Sequence, residues 1–490
     1  MEASVHSLLS LLTFLFVFVI GLLIAVAVIL FLIDINQSKS AIRRNYPVIG
    51  RFRYLFEHMG EFFRQYFFAM DREEMPFNRA QRSWVYRAAK GVATEIAFGS
   101  TRAGNTVGDH HFMNSVFAVL EQEKNTETTI AFGPYCDRPY VAKSFFNISG
   151  MSYGALSKPA VQALSRGAAK AGCWINTGEG GVSPFHLEGG GDVVAQIGTA
   201  KYGVRDEKGE LSEEKLIGLA QKPQIKMFEI KLSQGAKPGK GGILPAEKVS
   251  EEIAAIRGIN KGEASISPNR HPEIQSTLDL LKLINRVRQV TGIPVGIKLV
   301  VGDPAWLNEL CEEILKLGIE SAPDFITVDS ADGGTGAAPQ PLMDFVGMRL
   351  KESLPLLVDT LKKYQLKDRV KVVASGKLVN PGLVARALAT GADAVVSARG
   401  FMFSLGCIQA MQCNKNTCPT GITTHDKRLQ KGLNVADKAA RVANYHKKIV
   451  HDVEMIAHSC GVPQATELQR HHVRLVTEDG KSKSLAELYP

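Results

Sequence analysis

The sequence predicts an α/β protein built on a (β/α)8 TIM barrel, preceded by an N-terminal transmembrane helix. Two observations predict the barrel. From residue 144 onward, eight short β-rich runs alternate with amphipathic or Ala-rich helical runs, and the loops behind the strands concentrate Gly, Ser, Asp and Lys in phase with them. A third observation predicts the membrane helix: residues 8–33 are almost wholly apolar, interrupted only by Ser10, Thr13 and Gly21. A doubly wound open sheet is the alternative to the barrel.

Composition sets the outer bounds. The chain has 490 residues, of which 45% are hydrophobic and 22% charged, which is globular rather than disordered. The formal net charge is +9. Lys39, Arg43, Arg44, Arg51 and Arg53 cluster just behind the apolar run, where a membrane flank belongs, and no nucleic-acid motif accompanies them. Seven cysteines without a regular framework argue against a disulfide-stapled secreted protein.

The apolar run is long enough, at about 1.5 Å per helical residue, to exceed a hydrocarbon core of about 30 Å. A cleaved signal peptide is the other reading. That would place basic residues in front and a shorter apolar core behind, whereas Met1–Ser7 holds no Lys or Arg. The basic flank after Ile33 then keeps residues 34–490 in the cytoplasm. The expected organisation is an anchor over 1–34, a juxtamembrane and N-terminal extension over 35–143, the barrel with its cysteine loop over 144–424, and a helical extension and tail over 425–490. Residues 34–95 mix basic and aromatic side chains. They read either as a platform near the lipid or as an extension packed on the main domain.

Within the barrel the strands are expected at 144–149, 174–177, 226–232, 264–267, 295–300, 325–330, 370–374 and 394–398. Helices are expected near 158–171, 246–257, 274–290, 306–317, 347–363 and 381–389. Residues 189–218 read as an insertion without periodicity, 425–465 as helical, and the end as a polar tail.

Chemistry in such a barrel sits at the strand ends. Those ends read ISGMSYG, NTGEGG, EIKLSQGAKPGKGG, ISPNRHPE, GIKLV, DSADGGTGAAP, ASGK and SARG. The last two, with Gly376, Arg399 and Gly400, suit a phosphate held between the seventh and eighth loops, such as that of FMN. Plain turn glycines are the bland alternative. Lys298 stands inside an apolar strand, where an ammonium needs a negative partner. In a flavin barrel it would face the edge of the ring where charge gathers on reduction.

Cys407, Cys413 and Cys418 read C-x5-C-x4-C-P. An iron–sulfur cluster, a zinc ion completed by His425, and structural thiols all remain open on the spacing. Cys136, Cys173, Cys311 and Cys460 read as core thiols.

These motifs, in this order over residues 144–461, resemble the synthase domain of glutamate synthase large subunits. The stretches RNYPVIGRFRY and PFNRAQRSWVY are similar to the N-terminal part of shorter, membrane-linked FMN-binding members of that family. The resemblance implies FMN near Ser149, Gly150, Met151, Lys298, Gly376, Arg399 and Gly400. It also implies a 3Fe-4S cluster on Cys407, Cys413 and Cys418. Lys237 and Arg257 match residues that hold the carboxylates of 2-oxoglutarate, and Glu179 and Lys298 match catalytic-loop positions beside the flavin. The implied reaction is reduction of a 2-imino acid, 2-oxoglutarate plus ammonia giving glutamate, with electrons from an unnamed donor protein. Two departures bear on the substrate: the family pattern GEGGQLPG reads GKGGILPA here, with Lys240 for Glu and Ile243 for Gln. An Ile cannot hydrogen-bond an oxo acid. The alternatives are therefore an FMN and iron–sulfur oxidoreductase on another amino or N-substituted amino acid, or a membrane-tethered redox-relay subunit. The resemblance further implies that the glutaminase domain of the full enzyme is lacking. Ammonia or an amine would then come from solution, from another subunit, or not at all.

Overall fold

The computed structural model describes residues 2–125 and 127–490. Two compact units make up the chain, divided between Ala80 and Gln81.

The first unit opens with helix α1 (Glu2–Asn36), within which an 18-residue stretch reaches a mean hydropathy of 3.4 and most apolar residues from Val5 onward are exposed. Helix α2 (Ala41–Asn45) begins at Ser40, whose hydroxyl accepts the Arg43 N–H, and helix α3 (Gly50–Phe63) follows a short turn.

The second unit is built on a closed barrel of eight parallel strands in sequential order. They are β1 (Phe146–Ile148), β2 (Ile175–Asn176), β3 (Val193–Ile197), β4 (Ile225–Lys231), β5 (Val295–Leu299), β6 (Phe325–Asp329), β7 (Lys371–Ser375) and β8 (Ala394–Ser397). Closure runs from β8 back to β1, with Val396 opposite Asn147. The helices expected from the Ala-rich and amphipathic runs form at Lys158–Ala171, Thr277–Thr291, Pro304–Leu317, Leu350–Lys363 and Pro381–Thr390. Each of the first three and the last begins at a Ser, Asp or Asn whose side chain accepts a hydrogen bond from the first turn.

One strand assignment needs correcting. Residues 264–267 are not a barrel strand; Ser265–Ile266 pairs antiparallel with Ile243–Leu244 in a separate ribbon. The barrel place belongs to β3, inside the stretch read as an insertion. All five β3 residues are buried. A strand buried on both faces carries no alternation to read, and three glycines at 189–191 disguise its start. The helix expected over 246–257 is also divided. A 3-10 turn covers Ala246–Lys248, and Ser250 caps a new helix, Glu251–Arg257. The polar tail is structured: Val473–Val476 pairs antiparallel with Ser482–Ser484 and with His110–Phe112.

The N-terminal end of the barrel is plugged. A ribbon of Ile130–Phe132 and Tyr140–Ala142 lays Phe132 edge-on against Trp174 and Phe325, at ring distances of 5.8 and 5.7 Å. Close packing there sets one glycine. A Cβ on Gly296 in β5 would come within 2.5 Å of the Phe325 ring. The helix Val435–Ser459 lies along Lys158–Ala171, close enough that a Cβ on Gly167 would meet Val442 at 2.4 Å.

Candidate functional site

The C-terminal ends of the strands surround one open cavity with about 1340 Å³ of empty space, its open side included. Ser149, Gly150, Met151, Glu179, Lys237, Arg257, Lys298, Gly376, Arg399 and Cys413 all line it. Gly400, Cys407 and Cys418 do not. Gly400 sits in the first turn of the helix Arg399–Ser404, where a Cβ would fall 2.1 Å from the Tyr445 hydroxyl, so its place in the fold is one of packing.

Two glycines shape the loops behind β7 and β1. Gly376 follows β7 with φ +126°, a conformation that favours glycine, and a Cβ there would reach Ser330 at 2.3 Å. Gly150, directly after β1, has Asn176 Oδ1 2.9 Å from where a Cβ would be. At both positions the neighbouring strand-end residue fills the place a side chain would take.

The floor is an ordered polar layer inside the barrel. Glu229 of β4 is buried and accepts from Asn176 Nδ2 at 2.8 Å, Gln196 Nε2 at 2.6 Å and Thr327 Oγ1 at 2.7 Å. Above it, Lys298 of β5 lies 3.4 Å from Asp329, the last residue of β6. Asp329 also accepts from Ser375 Oγ at 2.7 Å and from the Gly235 N–H at 2.9 Å. Burial alone would lower the Lys298 pKa. Asp329, Glu229 and Glu179 outweigh it and hold the ammonium above its ordinary value. Lys298 thus stays cationic.

Glu179 follows β2 and takes the Lys231 ammonium at 2.9 Å. Burial pushes its pKa up, but Lys231, Lys237 and Arg257 together bring it below the usual value, so it stands as a carboxylate. Lys237 and Arg257 flank it. Both are buried, and burial draws both pKa values down. Arg257 donates to Ser265 Oγ at 2.9 Å and stacks over the Tyr202 ring at 5.2 Å, while its Nε is buried without a partner. Among the described residues Lys237 Nζ has no ion-pair or hydrogen-bond partner. Altogether seven Lys and Arg side chains line the cavity against two carboxylates.

Lys231, Glu229, Asp329 and Lys248 were not singled out from sequence. Their signal was a charged residue inside or at the end of an apolar strand, the same one that marked Lys298. Lys248 is the exception. It ends the 3-10 turn, is buried, and donates to the carbonyls of Cys413 and Thr423, each at 2.7 Å, which ties the segment behind Ile243 to the cysteine loop.

In that cysteine loop Cys413 accepts from Arg399 Nη1 at 3.7 Å, and Cys418 lies 3.3 Å from Thr420 Oγ1. Among the described residues no three His, Cys, Asp or Glu side chains converge to hold a metal, these cysteines included. His425 donates its Nε2–H to the Gly154 carbonyl at 2.8 Å and so is engaged away from the thiols.

The family model for the conserved region in glutamate synthase matches residues 104–463. The chain is similar to the glutamate synthase large subunit-like protein YerD of Bacillus subtilis, with 40% identity over 94% of this chain and 95% of that one. It is 33% identical to the archaeal-type glutamate synthase (NADPH) of Thermotoga maritima over 64% of this chain, and spans 59% of that longer relative. Among solved structures, a mandelate oxidase with (S)-4-hydroxymandelic acid aligns with a TM-score of 0.48 and 17% identity over 81% of this chain and 99% of its own.

Proposed function

The chain belongs to the glutamate synthase family, and from that premise we propose a membrane-anchored FMN oxidoreductase that reduces a 2-imino or 2-oxo dicarboxylic acid. One observation carries the substrate half of this reading: Lys237, a buried residue whose ammonium makes no hydrogen bond or ion pair among the described residues, and the buried, unpartnered Arg257 Nε stand at the mouth of a barrel whose lining is strongly cationic. Buried charge left unpaired costs stability unless a ligand completes it. A dicarboxylate supplies two anionic ends for two cations.

The residues present fit FMN. Gly150, Gly376 and Arg399 line the same cavity, and Arg399 would supply a fixed charge beside the eighth loop for the phosphate. Lys298, kept protonated by Asp329 and Glu229, would stand under the pyrimidine edge of the ring. Bound FMN supplies the hydride. Lys237 and Arg257 orient the acid over the ring, and Glu179, ionised and held by Lys231, is placed to accept or pass a proton at the substrate nitrogen. Lys248 fixes the loop that carries Ile243 and Lys240 against the cysteine loop.

A 3Fe-4S cluster on Cys407, Cys413 and Cys418 is part of the proposal through the resemblance. Cys407 is close enough to Cys413 and Cys418 for both to raise its pKa, after burial as the larger cause. Ile243, 41% exposed at the lip where family members carry Gln, supports a substrate other than unmodified 2-oxoglutarate as the second reading.

Helix α1 is proposed as a single-pass membrane anchor with the barrel in the cytoplasm, supported by its length, its hydropathy and the basic flank behind it.

Purification of the full chain in detergent tests the cofactors. Denaturation should release FMN near one per chain, with about three irons. A colourless protein would refute the flavin reading, and zinc in place of iron would refute the cluster. Anaerobic reduction followed by a screen of 2-oxo acids, with and without ammonium, then identifies the substrate by flavin reoxidation.

A further inference from the structure

We propose that α3 is an interfacial helix that lies in the headgroup layer of an anionic bilayer, so that the chain is held to the membrane by a span and by a second surface. This inference rests on the reading of α1 as a membrane span.

The geometry begins at Asp34, in the last turn of α1. Its side chain is fully buried, and its carboxylate accepts the Val48 N–H at 3.0 Å, Arg51 Nε at 2.8 Å and Arg51 Nη2 at 2.7 Å. Val48 lies two residues before α3, and Arg51 is in its first turn. The start of α3 is therefore pinned to the end of α1. Helical turns rise about 5.4 Å, so α3 begins within about one turn of the level at which the apolar run ends. That level is the lipid–water boundary. A paired carboxylate with no exposed surface is also the form in which an acid tolerates such a position.

Helix α3 then shows lipid one face. Phe52, Leu55, Phe56 and Phe63 fall at spacings of three, one and seven, which is a single stripe at helical period, and Phe67 extends it into the following turn. Phe52 is 52% exposed, Phe56 63% and Phe67 74%. The rings also meet along the stripe, Phe52 with Phe56 at 6.4 Å and Phe63 with Phe67 at 5.5 Å. Water does not favour a contiguous aromatic strip of this kind. Arg53, Glu57 and Arg64 stand on the flank away from it.

Charge settles the kind of lipid. Residues 37–68 hold six Lys and Arg against two Glu. Basic residues at the membrane surface gain about 1 kcal/mol each from anionic headgroups. An amphipathic helix with Phe and Leu on one face and Arg on its polar side is the pattern of an interfacial helix.

The test uses the full chain in lipid nanodiscs containing lipids with brominated acyl chains, which quench nearby tryptophan. Phe56→Trp places a reporter on the stripe, Glu57→Trp on the opposite flank, and Val19→Trp inside α1, each compared with the parent and its three native tryptophans. We expect added quenching at positions 19 and 56 and none at 57, with position 56 quenched more strongly in anionic than in zwitterionic discs. Quenching at 19 but not at 56 would overturn the interfacial helix and leave the span standing. Absence at both would overturn the span and the helix together. Equal quenching at 56 in the two disc types would overturn the role of headgroup charge.

Discussion

At the N-terminal end of the barrel, Asp324 is fully buried and its charge is spent. It accepts Arg288 Nε at 3.0 Å, Arg369 Nη1 at 2.9 Å and the Val295 N–H at 2.8 Å, and the two guanidiniums donate their remaining hydrogens to Asn285 and to the carbonyls of Ile319, Glu320 and Ala322. At the C-terminal end, Lys237 and Arg257 are just as buried, yet Lys237 Nζ and Arg257 Nε lack partners. The residue types match and the local accounting does not. Charge that closes on itself ties β5, β6 and the segment before β7 together. Charge left open faces a cavity that a ligand can fill. Between these two ends, the difference lies in hydrogen-bond satisfaction and not in burial.

That contrast can be broken most severely at Asp324. Asp324→Ala would leave two arginines buried without their acid, and should cost about 3–5 kcal/mol of stability. A denaturant midpoint close to the parent's would mean that the closed end is not load-sharing, and the contrast would fail.

The open end should behave in the opposite way. Lys237→Ala and Arg257→Ala each remove one charge-assisted contact with the acid, worth about 2–4 kcal/mol, which is about thirty- to thousand-fold in kcat/KM. Lys237→Ala should leave the melting temperature unchanged, because its ammonium completes no folded-state network, whereas Arg257→Ala also removes the bond to Ser265 Oγ and the contact with Tyr202. Parental kcat/KM on the true substrate in both variants would remove the dicarboxylate pocket and favour the redox-relay reading.

Glu454 sharpens the contrast with a buried acid that is closed by protonation. It lies on Val435–Ser459 and lines a cavity beside residues 143–145, which lead into β1. Burial pushes its pKa up to about 7, Glu467 adds to the push, and the Ala465 N–H at 2.9 Å opposes it. The folded pKa is raised above an unfolded value near 4.5, so the folded state keeps its proton longer. Stability is then greatest below about pH 4.5, falls as pH rises toward 7, and levels off above. The loss is on the order of 2 kcal/mol. Melting temperatures of Glu454→Gln should match the parent at pH 5 and exceed it at pH 8. Parallel profiles at both pH values would show that Glu454 titrates normally.

The smallest effect is expected at the lip. Ile243→Gln should raise kcat/KM for 2-oxoglutarate over the natural substrate by about tenfold, roughly the worth of one hydrogen bond, 1.4 kcal/mol. An unchanged ratio, read from parallel kinetics on the two acids, would mean that position 243 does not touch the substrate.

What could be read from sequence follows the same division. The strand ends were legible because glycine, serine and charge break an apolar run, which is how Lys298, Gly376 and Arg399 were found. Strand β3 was not, because Val193–Ile197 is buried on both faces and no alternation marks it. The ribbon strand at Ser265–Ile266 took its place in the count because four residues with small and apolar character look alike in either setting. Lys237 and Arg257 are legible only through the family resemblance, and the fold alone shows that both are buried with open hydrogen-bonding capacity. Lys231 and Asp329, the partners that hold Glu179 and Lys298, lay in motifs already noted, yet pairing across strands cannot be seen along a chain. Lys248 reaches residues more than 160 positions away and left no local mark.

The open charge at the mouth is best tested by titrating the flavin-loaded full chain with 2-oxoglutarate and with its monocarboxylate counterpart 2-oxopentanoate, following the flavin absorbance. The dicarboxylate should bind at least about thirty-fold more tightly, from one additional charge-assisted contact of about 2 kcal/mol, and Arg257→Ala should erase that preference. Equal affinity for the two acids in the parent chain would contradict the account.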